Sequence, residues 1–167
     1  ALALADEAGA VPCGQVDSML LTNDERAPFG VRLDEQAVLD ASTRCGTPGS
    51  VVLVEASDLR RGLAFRARAT PELALAARED ALRSTDSLVA GLLDQLDLET
   101  DAIMVVAPST QPSPGLGVLG IRAKEFPAGL LTSGSTRRAG YVLLTDVTPT
   151  IARLAEPLGF VAVADGA

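Results

Sequence analysis

The chain has 167 residues, 47% of them hydrophobic, a formal net charge of −8 and no histidine or tryptophan. This composition predicts one folded domain over residues 1–167 and excludes a disordered segment, a collagen-like repeat and a disulfide-dense scaffold. The acidic charge argues against nucleic-acid binding, which needs a basic surface. The lack of histidine removes Ser-His-Asp and Cys-His catalysis and most zinc sites.

The sequence of the first half of the chain predicts short helices and strands. The first ten residues read as the end of a helix, residues 11–16 as a short strand and residues 23–30 as a polar loop. Asp34 is placed to cap a helix over residues 35–43, with Gly46 after it. The run Val-Val-Leu-Val at 51–54 is typical of a strand buried on both faces.

The second half begins with a long predicted helix. Thr70-Pro71-Glu72 is a helix start, and the helix is expected to run to Leu96. Its expected buried stripe consists of the apolar residues Leu75, Leu82, Val89, Leu92, Leu93 and Leu96.

Three further strands are predicted at residues 103–107, 118–122 and 141–144, and Thr148-Pro149 opens a last helix through Ala155. Strands separated by helices or long crossovers indicate an α/β fold with a layered, mainly parallel sheet flanked by helices.

The two cysteines, Cys13 and Cys45, lack CxxC spacing and leave two alternatives open. They are either two buried free thiols or a disulfide, and an exported protein favours the disulfide. The start of the chain has no methionine and no basic n-region, so it is interpreted as an excised or processed piece. No run of roughly 18 apolar residues is present, so any membrane anchor is expected outside these residues.

Two arginine-rich segments are candidate anion-binding sites. The first contains Arg60 and Arg61, followed by Arg66 and Arg68; the second contains Ser135, Thr136, Arg137 and Arg138. Guanidinium groups and small hydroxyls suit phosphate or carboxylate. The alternative is that both are solvated loops whose arginines form ordinary surface ion pairs.

Two other patterns could indicate a cofactor or a metal ion, but we expect neither group to bind. Residues 115–120 match GxGxxG, but they follow a proline-rich loop and lead into a strand, whereas a dinucleotide site needs a helix to follow. Five aspartates could bind a hard cation at the ends of strands, although helix capping is the simpler role for Asp101 and Asp146. The five are Asp58, Asp86, Asp97, Asp101 and Asp146.

Residues 143–151, with Leu154 and Gly159, resemble the "TDIAPTLLxLxG" segment of the alkaline phosphatase/sulfatase superfamily. Residues 86–96, Asp101 and the strand at 103–107 resemble its "D-xx-hG-xLL-xxL…D-hhhhh" helix and strand. The resemblance covers residues 70–160, about half of such a catalytic domain. Residues 130–141 are similar to a segment of uncharacterised membrane-anchored proteins of high-GC bacteria.

The resemblance implies an alkaline-phosphatase-like fold without that superfamily's metal chemistry. Where the superfamily has "SDHG", residues 107–110 are Ala-Pro-Ser-Thr, so no catalytic or metal-binding residue carries over. The function expected first is therefore a non-catalytic binding or regulatory domain, a pseudoenzyme, on the extracytoplasmic face of a membrane protein. Its expected partner is an anionic ligand or another protein or domain.

Two alternatives stay open. One is a metal-dependent hydrolase of phosphate or sulfate esters that regions outside this chain complete. The other is a small-molecule binding domain that uses the loop at residues 108–117.

Overall fold

The computed structural model describes residues 9–108 and 115–155. Within these ranges it contains four α-helices and two short antiparallel sheets. In chain order they are β1 (Leu21–Asn23), β2 (Val31–Leu33), α1 (Glu35–Cys45), α2 (Ser57–Phe65), α3 (Pro71–Asp94), β3 (Ile103–Ala107), β4 (Val118–Arg122) and α4 (Val147–Ala155). The chain divides into an N-terminal unit, residues 1–95, and a C-terminal unit, residues 96–167. That all 167 residues form one domain stays a prediction.

The predicted layered, mainly parallel sheet is wrong. β1 pairs with β2 and β3 pairs with β4, each in antiparallel register, with Ile103 opposite Arg122 and Ala107 opposite Val118. A parallel pair needs a crossover of roughly a dozen residues or more, usually a helix. Residues 108–117 are too short a connection for that, so the chain reverses direction between β3 and β4.

Several predicted strands are also absent from the described residues. The segments at 11–16, 51–54 and 141–144 contain no strand. Their apolar residues serve other purposes: Val54, for example, packs against the core of the N-terminal unit. The helix expected in the first ten residues falls mostly outside the described part of the chain.

The core of the N-terminal unit is small and lies where α1, α3 and β2 meet. Leu33, Val38 and Leu88 are its buried members. Five partly buried residues pack against them, namely Leu20, Leu21, Leu39, Val54 and Leu92. Helix α1 starts as predicted, because the Asp34 carboxylate accepts a hydrogen bond of 3.0 Å from the Ala37 N–H.

Helix α3 has the predicted start and buries the predicted stripe only in part, since Leu92 packs against the core. Thr70 caps it and Pro71 occupies its first turn. Its buried residues are Ala81 and Leu88, whereas Leu75 and Leu82 of the predicted stripe are 57% and 41% exposed. Gly62 of α2 lies against the backbone of α3, where a Cβ would be 3.6 Å from the Ala77 carbonyl oxygen, an ordinary van der Waals distance. Helices α2 and α3 therefore pack in close contact at this point.

The disulfide alternative for the cysteines is confirmed: Cys13 is bonded to Cys45. Cys45 is the last residue of α1, and Arg44 beside it donates a hydrogen bond of 2.9 Å to Gln15. Exposed residues around Cys13 are thus attached to the end of α1. Within residues 9–108 and 115–155, no helix is long and apolar enough to cross a membrane.

Candidate functional site

The second arginine-rich segment forms a loop, residues 133–141, called here the arginine loop. The Asp146 carboxylate, just before α4, accepts hydrogen bonds from the hydroxyls of Ser133 and Ser135, both of 2.6 Å. It also accepts one of 2.9 Å from the Leu143 N–H. One side chain therefore joins the beginning of the loop to the residues that follow it.

Hydrogen bonds within the loop complete its shape. The Thr136 hydroxyl donates to the Tyr141 carbonyl oxygen at 2.6 Å, and the Arg137 N–H donates to the Ser133 carbonyl oxygen at 2.9 Å. The Gly140 N–H donates to the Leu131 carbonyl oxygen at 2.7 Å, which closes the base of the loop. The loop is thus ordered by its own polar groups.

Arg137 and Arg138 lie at the exposed tip of the loop. Arg137 has φ = 53°, in the left-handed region that non-glycine residues rarely adopt. The Arg138 guanidinium lies over the Tyr141 ring, with its central carbon 4.9 Å from the ring centroid. Neither arginine forms an ion pair with a carboxylate in the described ranges. Both guanidinium groups can therefore reach an external anion.

The predicted hydroxyl donors are used inside the loop. The hydroxyl hydrogen of Ser135 is directed at Asp146 and that of Thr136 at the Tyr141 carbonyl oxygen. These two residues support the loop, while the arginines remain available. The sequence had suggested a cap or a cation ligand for Asp146. The Ser-Gly-Ser run upstream was the only signal of its partners.

The first arginine-rich segment belongs to the N-terminal unit, and its members have different surroundings. Arg61 is paired with the buried Asp58, and its Nε atom is buried without a hydrogen-bond partner. The Arg68 guanidinium lies 5.6 Å from the centroid of the Phe29 ring. Arg60 and Arg66 are exposed and without ion pairs among the residues described. The arginines of this segment therefore act as separate cations, in contrast to those of the arginine loop.

The predicted aspartates form no metal site. Asp58 binds Arg61, Asp146 binds the two serines, and Asp97 and Asp101 hydrogen-bond within one turn. Across residues 9–108 and 115–155, no group of three or more His, Cys, Asp or Glu side chains could hold an ion. The GxGxxG match ends inside β4 at Gly120, so no helix N-terminus follows it.

An open pocket of about 640 Å³ lies beside the β1–β2 hairpin and the start of α1. Its charged lining is mixed and mainly acidic, comprising Asp24, Glu25, Arg26, Arg32, Asp34 and Glu35. Arg32 is 3.6 Å from the Asp24 carboxylate. None of the predicted site residues lines this pocket.

Asp146 should show a titration shifted to low pH. Hydrogen bonds from Ser133, then Ser135, then the Leu143 N–H favour the carboxylate and lower the pKa of Asp146. A lowered folded-state pKa stabilises the protein above the unfolded-state value, and this contribution disappears as pH falls through the folded-state pKa.

We therefore expect wild type to be more stable than Asp146→Asn at neutral pH and this difference to shrink below about pH 4. Chemical denaturation of both proteins across that range measures the difference, and NMR of the Asp146 carboxyl carbon measures its pKa. A midpoint at or above the usual aspartate value would contradict the hydrogen-bonded arrangement.

Comparison with known proteins finds no family model, no curated protein and no solved structure that matches the chain.

Proposed function

We propose that the chain is a non-catalytic binding domain that recognises an anionic group through the arginine loop, residues 133–141. The observation that carries the proposal is the pair Arg137 and Arg138, exposed on a braced loop and unpaired with any carboxylate in the described residues. Guanidinium groups bind carboxylate, phosphate and sulfate oxygens through charge-assisted hydrogen bonds.

The order of the loop favours binding, because less conformational freedom is lost when a ligand arrives. The Arg138 guanidinium is supported by the Tyr141 ring, and the backbone N–H of Arg138 donates to the Thr136 hydroxyl at 3.3 Å. The backbone conformation of Arg137 costs on the order of 1–3 kcal/mol, which the surrounding hydrogen bonds offset. Such residues occur at ligand-binding positions more often than elsewhere.

The net charge of −8 repels a free anion at long range. Recognition must therefore depend on close contacts between the anion and the loop. Added salt should lower the affinity for the anion only moderately. An anionic group on a larger partner, for example a carboxylate or phosphate at a protein or glycan surface, would gain further contacts around the loop. Free phosphate, sulfate and citrate should bind the same two arginines, with lower affinity than such a partner.

The proposed setting is the extracytoplasmic side of a membrane protein. The Cys13–Cys45 disulfide supports an oxidising compartment, since stable disulfides are rare in the cytosol. The membrane part of the proposal depends on the resemblance of residues 130–141 to membrane-anchored proteins.

We also propose a distant relationship to the alkaline phosphatase/sulfatase superfamily. It rests on the sequence resemblance of residues 86–96 and 143–151 and does not extend to the mainly parallel sheet, because β3 pairs with β4 in antiparallel register.

The hydrolase alternative receives less support from the carboxylates. Asp58 is committed to Arg61 and Asp146 to Ser133 and Ser135, so neither is poised to accept a substrate proton or a metal ion. Phosphodiesterase or sulfatase turnover that a chelator abolishes would contradict the non-catalytic proposal.

Replacing the loop arginines should remove anion binding while the protein stays folded. We expect Arg137→Gly and Arg138→Gln each to weaken binding by about tenfold to a hundredfold, because each removes a charge-assisted hydrogen bond of roughly 1.5–3 kcal/mol. Glycine adopts φ = 53° without strain, so Arg137→Gly should leave the loop conformation intact. NMR titrations with inorganic phosphate, sulfate and citrate measure the effect and compare the anion classes.

The matched control is Arg122→Gln, which removes an exposed arginine of the same unit at the end of β4. It should leave the affinities within about twofold of wild type. Arg60→Gln serves the same purpose for the first arginine-rich segment. If the two loop variants bind all three anions as wild type does, the loop is not the binding site.

A further inference from the structure

We infer that Asp146 is a positioning residue, which holds the arginine loop, through the hydroxyls of Ser133 and Ser135, in the conformation that presents Arg137 and Arg138 to an anion. The inference rests on the proposed function, and it adds the device by which the binding conformation is kept. It also assigns a shared purpose to three polar side chains that hydrogen-bond to one another, Ser133, Ser135 and Asp146.

Asp146 is itself held firmly at the start of α4. Its N–H donates to the Leu143 carbonyl oxygen at 3.0 Å, and its carbonyl oxygen accepts a hydrogen bond of 2.6 Å from the Thr150 hydroxyl. The carboxylate therefore projects from a fixed point of the backbone. A loop bound to it inherits that fixed position.

Ser133 transmits this position to the arginines. Its hydroxyl donates to Asp146 and at the same time accepts the Ser135 N–H at 3.0 Å, while its carbonyl oxygen accepts the Arg137 N–H at 2.9 Å. Two successive hydrogen bonds, from Ser133 to Asp146 and from Arg137 to Ser133, thus join the carboxylate to the backbone of Arg137. The hydrogen bond from Ser135 to Asp146 restrains the residues between Ser133 and Arg137.

The ionised carboxylate suits this arrangement. The three donors at 2.6, 2.6 and 2.9 Å all find acceptor oxygens, because a carboxylate has two oxygens without hydrogen. Asparagine keeps the shape but replaces one of these oxygens with an NH₂ group, so a serine hydroxyl would have to turn and accept where it now donates to a charged oxygen. No arginine or lysine of the described residues forms an ion pair with Asp146, so Asp146 leaves the charge of the two loop arginines available.

The test is a double-mutant cycle with inorganic phosphate as the probe, at neutral pH and constant ionic strength. Asp146→Asn and the variant Ser133→Ala/Ser135→Ala should each weaken phosphate binding about fivefold to tenfold. The combined variant should be no weaker than the worse of the two, since both changes break the same bridge. A product of the two separate losses would overturn the inference.

Amide exchange separates positioning from loss of folding. In Asp146→Asn, amides of residues 133–141 should exchange faster, while those of β3 and β4 stay at the wild-type rate. The ring-current shift that Tyr141 imposes on the Arg138 side chain should shrink in the same variant. The carboxylate-preserving Asp146→Glu should recover part of the phosphate affinity.

The outcomes also separate this inference from the proposed function. If wild type binds no phosphate, sulfate or citrate, the proposed function fails. In that case, unchanged amide exchange in Asp146→Asn would overturn the positioning role as well, and faster loop exchange would retain it. If wild type binds phosphate and Asp146→Asn binds equally well, the positioning role alone is wrong.

Discussion

Asp58→Asn is expected to lower the free energy of unfolding of the N-terminal unit by about 3 kcal/mol, as is typical when one partner of a buried ion pair is removed. Asp58 is 8% exposed and is the buried charged residue of the described core. Its carboxylate binds Arg61 Nη2 at 2.5 Å and accepts the Leu33 N–H at 3.1 Å. Urea unfolding of wild type and variant measures the difference.

The large effect follows from how many elements share this carboxylate. Asp58 belongs to α2, Leu33 to β2, and the Ser84 hydroxyl that donates to it at 3.4 Å belongs to α3. Loss of the charge leaves Arg61, whose side chain is only 19% exposed, without its counter-ion. An uncompensated cation at this depth costs more than the pair itself contributes.

The chain contains a matched control on its surface. Asp80 pairs with Arg83 at 2.6 Å with the same i,i+3 spacing, but the Asp80 side chain is 75% exposed. Asp80→Asn should therefore change the free energy of unfolding by less than about 0.5 kcal/mol. Equal effects for Asp58→Asn and Asp80→Asn would show that burial does not decide the strength of these pairs, contrary to the structure.

The double variant Cys13→Ser/Cys45→Ser should be less stable than the oxidised wild type by about 3–4 kcal/mol. A crosslink that closes a loop of this length restricts the unfolded chain by roughly that amount. The residues around Cys13 are exposed and lie outside the helices and strands, so noncovalent contacts can compensate for little of the loss. Urea unfolding of the two proteins gives the difference.

Further measurements identify the disulfide as the cause. Wild type treated with a reductant should match the double variant, and residues 9–16 should lose protection from amide exchange in both, although Arg44 can still bond to Gln15. Intact mass should show no alkylatable thiol in the native oxidised protein. Two alkylatable thiols would remove the disulfide and, with it, the support for an oxidising compartment.

Helix positions were predictable because their determinants are local. The Asp34 cap, the Thr70-Pro71 start and the β-branched run at 103–107 act within a few residues of themselves. The observed α1, α3 and β3 agree with the expectation. Helix α2 was missed because its N-cap residue, Ala56, has no side chain that could cap the helix. Its buried residues, Asp58 and Gly62, contact β2 and α3, and the local sequence does not show these contacts.

Strand direction and the buried face of α3 were not predictable from the same patterns. Apolar runs indicate strands without stating their partners, and β3 finds β4 across an antiparallel pair. Leu75 and Leu82 of the leucine stripe stay exposed, whereas Leu92 packs against the core of the N-terminal unit. Which part of the stripe is buried depends on the elements that pack against α3, and the spacing of its leucines does not state which elements those are.

The candidate site shows the same division. Composition and charge argued against nucleic-acid binding, left no histidine for catalysis and pointed to the arginines at 137 and 138. Tertiary structure decided that Ser133, Ser135 and Asp146 join around a braced loop, and that Arg61 is committed to Asp58. The physical reason is range: caps, charges and residue types act locally, whereas hydrogen-bond partners 11 or 13 residues apart and ion pairs in a core depend on how the chain folds back on itself.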